Sequence, residues 1–239
     1  MKVSVCLLSG GIDSTVAALN ACKNMAGPIF LLTIFYGQGA EAAERVHAPK
    51  IADWLMERFP NVREHFIMEI GGHARVRRDS DDIEGPSWSE GFVGWRSPRK
   101  GWEKAGYPST RDEVFTLIAA AGAEARLRDN PDATSADVII ATNADDLQHF
   151  PDLEASNFTA HLQHILDGKV MPQEGRPVRV SMPLINLTKA EVVALGREIG
   201  APLELTWSCY FGEPDKPCGD CDQCKWREAA FAEAGIDDR

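Results

Sequence analysis

Three groups of residues could do chemistry. The first is Leu7-Leu8-Ser9-Gly10-Gly11-Ile12-Asp13-Ser14-Thr15. An apolar run over 3–8 precedes the glycines and a helical pattern over 14–23 follows, so the spacing predicts a strand, a glycine turn and a helix. Such a junction leaves the first backbone N–H groups of the helix unpaired and aimed at one spot, with the positive end of the helix dipole behind them. An anion, most often a phosphate, suits that spot. The hydroxyls of Ser9, Ser14 and Thr15 add donors, and Gly10 and Gly11 let the backbone come close. The loop is neither a Walker A loop, which ends in Gly-Lys-Ser/Thr, nor the Gly-x-Gly-x-x-Gly dinucleotide fingerprint. A Gly-Gly turn that serine caps and that binds nothing is the competing reading of these residues alone.

The second group is Cys209-x8-Cys218-x2-Cys221-x2-Cys224. Two-residue gaps let thiolates wrap one tetrahedral ion, and four thiolates leave no open position, which predicts structural Zn²⁺. An iron–sulfur cluster also takes four cysteines and is the rival. A redox Cys-x-x-Cys pair explains only two of the four. Cys6 and Cys22, in the first strand and helix, read as buried small hydrophobes. The third group is polar: Tyr36 and Gln38 after the second apolar run, Asp145, Asp146 and Asp152 after the fourth, and Lys189 at a helix start. The dipole disfavours a cation there, so Lys189 is either aimed at an anion such as pyrophosphate or simply solvated. The aspartates are placed to hold a polar substrate or a metal, or else they cap a helix.

The elements that must position these groups alternate. Apolar runs at 3–8, 29–35, 65–68, 136–142 and 178–183 read as strands. Stretches 14–23, 41–59, 109–128 and 154–166 read as helices, with Val46, Ile51, Trp54, Leu55 and Phe59 as the inner face of the second. Thr188 and Glu191 form a capping box opening another helix. The pattern predicts an α/β fold, a doubly wound parallel sheet with helices on both faces and ligands beyond the carboxyl ends of the strands. Residues 70–108 interrupt it with seven glycines, three prolines and Trp88, Trp95 and Trp102, and read as a lid, a partner-binding flap or a surface insertion. The expected organisation is one domain over 1–206 carrying that insertion, with a zinc-binding tail over 207–239.

Composition limits the partners. The 239 residues hold 25 Lys plus Arg against 36 Asp plus Glu, a net charge of −11, which disfavours nucleic acid. No stretch is long and apolar enough to span a membrane, and the first residues do not read as a secretory signal, so the cytoplasm is the expected location.

Taken together, Ser9–Ser14, Tyr36-Gly37-Gln38, Phe150-Pro151-Asp152, Lys189-Ala190-Glu191 and Thr206-Trp207-Ser208-Cys209-Tyr210 with the closing cysteines resemble the 7-cyano-7-deazaguanine synthases, members of the N-type ATP pyrophosphatases. The resemblance runs from end to end. It implies ATP and Mg²⁺ at Ser9, Gly10, Gly11, Asp13, Ser14, Thr15 and Lys189, with Asp13 and Lys189 catalytic. It also implies 7-carboxy-7-deazaguanine as substrate, with Tyr36, Gln38, Arg111, Asp146 and Asp152 around it, bound Zn²⁺ and a homodimer. Three departures flank the implied substrate pocket. Gly39-Ala40 replace Arg-His, Asp112 replaces Asn, and Leu153-Glu154 replace Cys-Arg. A diverged member of the kind encoded in antiphage operons, joining the activated deazaguanine to a protein amine instead of ammonia, is therefore the alternative enzyme. A nucleotide-binding module without catalysis is the alternative from another class.

Overall fold

The computed structural model describes residues 1–70, 111–149, 155–169 and 174–238. Asp152 and, apart from Ile70, the expected insertion lie outside them. Five strands are present among the described residues: β1 (Lys2–Leu7), β2 (Ile29–Phe35), β3 (Val62–Glu69), β4 (Ser135–Ile139) and β5 (Val178–Ser181). All pair in parallel, in the order β3-β2-β1-β4-β5. Every residue of β2 is buried, as a strand covered on both faces must be.

Alternate β2 side chains feed two apolar layers. Ile29 and Leu31 pack with α1 (Ile12–Asn24), α2 (Glu41–Arg58) and α6 (Lys189–Ile199). Phe30, Leu32 and Ile34 pack with α3 (Arg111–Asp129) and α5 (Ala155–Asp167). Cys6 and Cys22 are buried in the first layer, as expected. No helix among the described residues is long and apolar enough to cross a membrane.

The capping box is present: Glu191 N donates to Thr188 Oγ1 at 3.2 Å and Thr188 N to the Glu191 carboxylate at 2.8 Å. Two features depart from the sequence reading, one in α2 and one in the tail. Val46 does not join the inner face of α2; it is 36% exposed, while Ala43, Ala48, Ile51, Ala52 and Leu55 form the buried stripe. Five residues rotate a helix by about 140° relative to its starting face, which carries Val46 away from Ile51. The Asn143–Asp146 stretch follows the helix-capping reading: it opens a short helix, α4 (Ala144–His149), with the Asn143 side chain as the cap, accepting from Asp145 N and Asp146 N at 2.9 and 3.1 Å. The tail also carries a helix that the sequence reading did not place. Helix α7 (Asp222–Glu233) buries Ala230 and Phe231 in the α1–α6 layer.

Candidate active site and cysteine centre

The phosphate-type loop leaves β1 and enters α1. Gly10 has φ +86°, and a Cβ there would stand 2.8 Å from Ala48 N, so both the turn and the backbone contact require glycine. Gly11 is the N-cap of α1 and offers no side chain to occupy the helix start. Ser14 Oγ lies 3.1 Å from Ser9 Oγ, accepts from Ser9 N at 3.2 Å and reaches Gly11 O at 3.1 Å, which locks the loop's shape. Thr15 is fully buried and its hydroxyl donates to Gly11 O at 2.7 Å, so it braces the turn from below.

The sheet order gives this loop its setting. The chain runs from β1 outward through β2 to β3, then returns to the other side of β1 for β4. The carboxyl ends of β1 and β4 therefore flank a crevice, the usual ligand position in such sheets. Asp13 is held there by both oxygens. Asn143 Nδ2 donates to Oδ1 at 3.2 Å, and Lys189 Nζ forms a short ion pair with Oδ2. Lys189 is set in turn by its own backbone N–H, which donates to Asp145 at 2.8 Å. Asp146 accepts from Asn143 N at 3.0 Å. Burial, and then the Asp13 carboxylate, push Asp146 up to about 6.

A cavity of about 300 Å³ joins these groups to a second polar end. Leu32, Ile34, Phe115 and Ile140 give it apolar walls, with Tyr36 edge-on to Phe115 at 5.1 Å. Glu44, Gln38 and Arg111 stand beyond. Gln38 Oε1 accepts from Tyr36 N at 2.9 Å, which fixes the amide so that Nε2 donates to Glu44 at 2.6 Å. Burial pushes Glu44 up to about 7 from 4.5. The folded state therefore keeps a proton that the unfolded state loses between those values, and Glu44 lowers stability as pH rises through that window. Glu44→Gln is expected to melt close to wild type near pH 4.5 and to gain several degrees on it by pH 8. A stability difference that stays constant from pH 4.5 to 8 would refute the shift, and a variant that loses ground as pH rises would reverse its sign.

The four tail sulfurs lie within 4.8 Å of one another. Cys221 Sγ is 3.5 Å from Cys224 Sγ and 3.9 Å from Cys209 Sγ, and Cys218 and Cys224 are 4.0 Å apart. Tetrahedral Zn–S bonds of about 2.3 Å place sulfurs about 3.8 Å apart, so the set fits one ion, whereas a multi-iron cluster needs a wider spread. Backbone N–H groups of Phe211, Gly212 and Cys218 donate to Cys209 Sγ at 3.4, 3.1 and 3.2 Å. The centre is joined to the loop. Trp207 N donates to Gly10 O at 2.9 Å and its indole to Cys209 O at 2.6 Å. His47 stacks on Trp207 at 5.1 Å, and its ring nitrogens meet Leu205 O and Pro214 O at 2.7 and 2.8 Å.

Of the residues singled out by sequence, Ser9, Gly11, Asp13, Ser14, Tyr36, Gln38, Arg111, Asp146 and Lys189 line one cavity. Gly10 lies behind it and Thr15 beneath it. Glu44, Phe115, Asn143 and the tail's Gln223 were not singled out; the first, second and last line the cavity. Asn143 orients Asp13, and its place after the fourth apolar run was the available signal.

Comparison with known proteins shows the family of the chain. A family model described as Queuosine biosynthesis protein QueC matches residues 3–235. The 7-cyano-7-deazaguanine synthase of Campylobacter curvus is 32% identical over all of this chain and 97% of its own. That of a Nostoc species is 39% identical over 98% of this chain and 95% of its own. Among solved structures, an NH3-dependent NAD synthetase from Campylobacter jejuni is loosely similar. It covers 85% of this chain and 66% of that one, at 16% identity and a TM-score of 0.42. The end-to-end family match and the full-length relatives place the chain in the QueC family of queuosine biosynthesis proteins.

Proposed function

We propose that the chain is an ATP-dependent C–N ligase that activates the carboxylate of 7-carboxy-7-deazaguanine and amidates it towards the nitrile, 7-cyano-7-deazaguanine. One observation carries the reading: the Asp13–Lys189 pair sits beside the exposed helix start of the Ser9–Ser14 loop, on the wall of a cavity with an apolar slot. The substrate carboxylate attacks the α-phosphorus of ATP, and pyrophosphate leaves towards the loop N–H groups, the serine hydroxyls and Lys189. Mg²⁺, when bound, would be held by Asp13 and would neutralise charge on the departing pyrophosphate. Ammonia attacks the acyl-adenylate and AMP leaves, giving the amide. Adenylation of the amide oxygen by a second ATP, with loss of AMP and two protons, gives the nitrile. The protein's part is to hold the reactants in line. The tail's thiolate centre, with no open position, would hold Zn²⁺ as a structural ion.

A second reading rests on Gly39. A Cβ there would meet Tyr210 O at 3.1 Å, so the chain closes this wall with backbone where the family carries a long side chain. A reshaped wall is compatible with a protein amine as acceptor. Incubation with ATP, Mg²⁺ and the carboxy-deazaguanine, with ammonia or with cell protein, followed by mass spectrometry, separates the readings. Amide, nitrile, AMP and pyrophosphate are expected with ammonia. A covalent adduct on protein with no nitrile selects the second reading, and no AMP in either mixture overturns both.

A further inference from the structure

We propose that Glu44 is the specificity-determining residue of the cavity: its carboxylate takes the paired N–H donors on the six-membered-ring edge of the deazaguanine. This rests on the substrate reading above, and it names a residue for which the sequence offered no motif.

The order of strands supplies the first argument. Along the carboxyl edge of the sheet, Glu44 follows β2, the Ser9–Ser14 loop follows β1, Asp146 follows β4, and Lys189 follows β5. Glu44 and Lys189 thus stand on opposite sides of the crevice between β1 and β4. The substrate's reacting carboxyl is on its five-membered ring and must face the phosphate end. Its other edge, with the ring N–H and the exocyclic amine, then points away from Lys189 and towards β2, between the walls of Leu32, Ile34, Phe115 and Ile140.

The chemistry of the end group is the second argument. Glu44 Oε2 accepts from Gln38, whose amide is fixed by Tyr36 N, and the nearby Arg111 charge favours the ionised carboxylate. Glu41, three residues earlier, is spent outside the cavity, on Gly37 N at 2.6 Å and on Arg45. Glu44 therefore reaches the cavity as an acceptor with capacity left. A guanine-type edge presents two adjacent donors, which one carboxylate matches. An adenine-type edge presents a donor beside an acceptor, which a carboxylate matches on one side and repels on the other. Burial holds the Glu44 proton up near neutral pH, and donors arriving on the ionised form replace the lost solvation.

The test is equilibrium binding at pH 7.5, by calorimetry, in the presence of an α,β-methylene analogue of ATP. Wild type should bind 7-carboxy-7-deazaguanine roughly 10- to 100-fold tighter than the analogue lacking the 2-amino group, the range of a charge-assisted hydrogen bond. Glu44→Gln should bring that ratio below about threefold while its affinity for the ATP analogue stays within about twofold of wild type. A purely structural role would weaken both purine-like ligands together and leave their ratio untouched. Equal binding of the two ligands by wild type overturns the proposal without any variant. So does a Glu44→Gln protein that keeps the wild-type ratio, or one whose loss falls on the ATP analogue instead. If wild type binds neither ligand, the substrate reading falls and this proposal with it, whereas the other outcomes leave that reading standing.

Discussion

Lys189→Ala is expected to cut AMP release from ATP by about 10²- to 10³-fold, the usual loss when one positioned charge-stabilising donor is removed. The ammonium is positioned twice over. Its backbone N–H is held by Asp145 at 2.8 Å and its side chain by Asp13, at a helix start where the dipole gives it no support. Both side chains of the pair are about one-fifth exposed, so the loss of one partner leaves the other within reach of water, and the melting temperature should fall by only a few degrees. Asp13→Ala should give a similar kinetic loss. The double variant should lose little more than either single one, because the two groups act as a unit. Steady-state release of AMP and pyrophosphate measures all three. Turnover near wild type in either single variant would mean that phosphate leaves elsewhere.

Cys221→Ser is expected to have the largest effect on the protein itself. A four-thiolate zinc site contributes on the order of 10 kcal/mol to the folding of the segment that carries it. With one sulfur removed, bound zinc should fall from about one per chain to near zero, and soluble yield should drop sharply. The effect should also reach catalysis. Trp207 and Tyr210 line the cavity, and Trp207 holds Gly10 O through its backbone, so a loosened tail withdraws a wall and a brace together. Zinc removed from intact protein by a strong chelator should therefore raise the KM for ATP, and added zinc should restore it. Metal analysis showing full zinc in the variant, or chelated protein with unchanged kinetics, would refute this account.

Much of this was legible in the residues. β2 was found residue for residue, because a strand covered on both faces is a continuous apolar run. The glycine loop, the Thr188–Glu191 box and the cysteine spacing were found because each is a local rule with a local cause. What was missed depends on contacts between distant segments. Glu44 belongs to no motif, and nothing near it in sequence says that Arg111 and Tyr210 will line the same cavity. Asn143 was passed over in favour of the carboxylates beside it, although it is the residue that reaches Asp13. Val46 was misplaced because an apolar side chain was assumed to be an inner one. Helix α7 escaped because its buried face comes down to Ala230 and Phe231 within a mostly polar stretch.

The bond from Trp207 to Gly10 also sets a timetable. A ribosome makes the chain from its amino end, so the glycine loop, the sheet and Lys189 all emerge before Trp207 and the cysteines. A nascent chain of that length has the Asp13–Lys189 pair but neither the Trp207 and Tyr210 wall nor the clasp that steadies the loop. The loop's last brace and the cavity's last wall therefore arrive together, with the segment that carries the four cysteines.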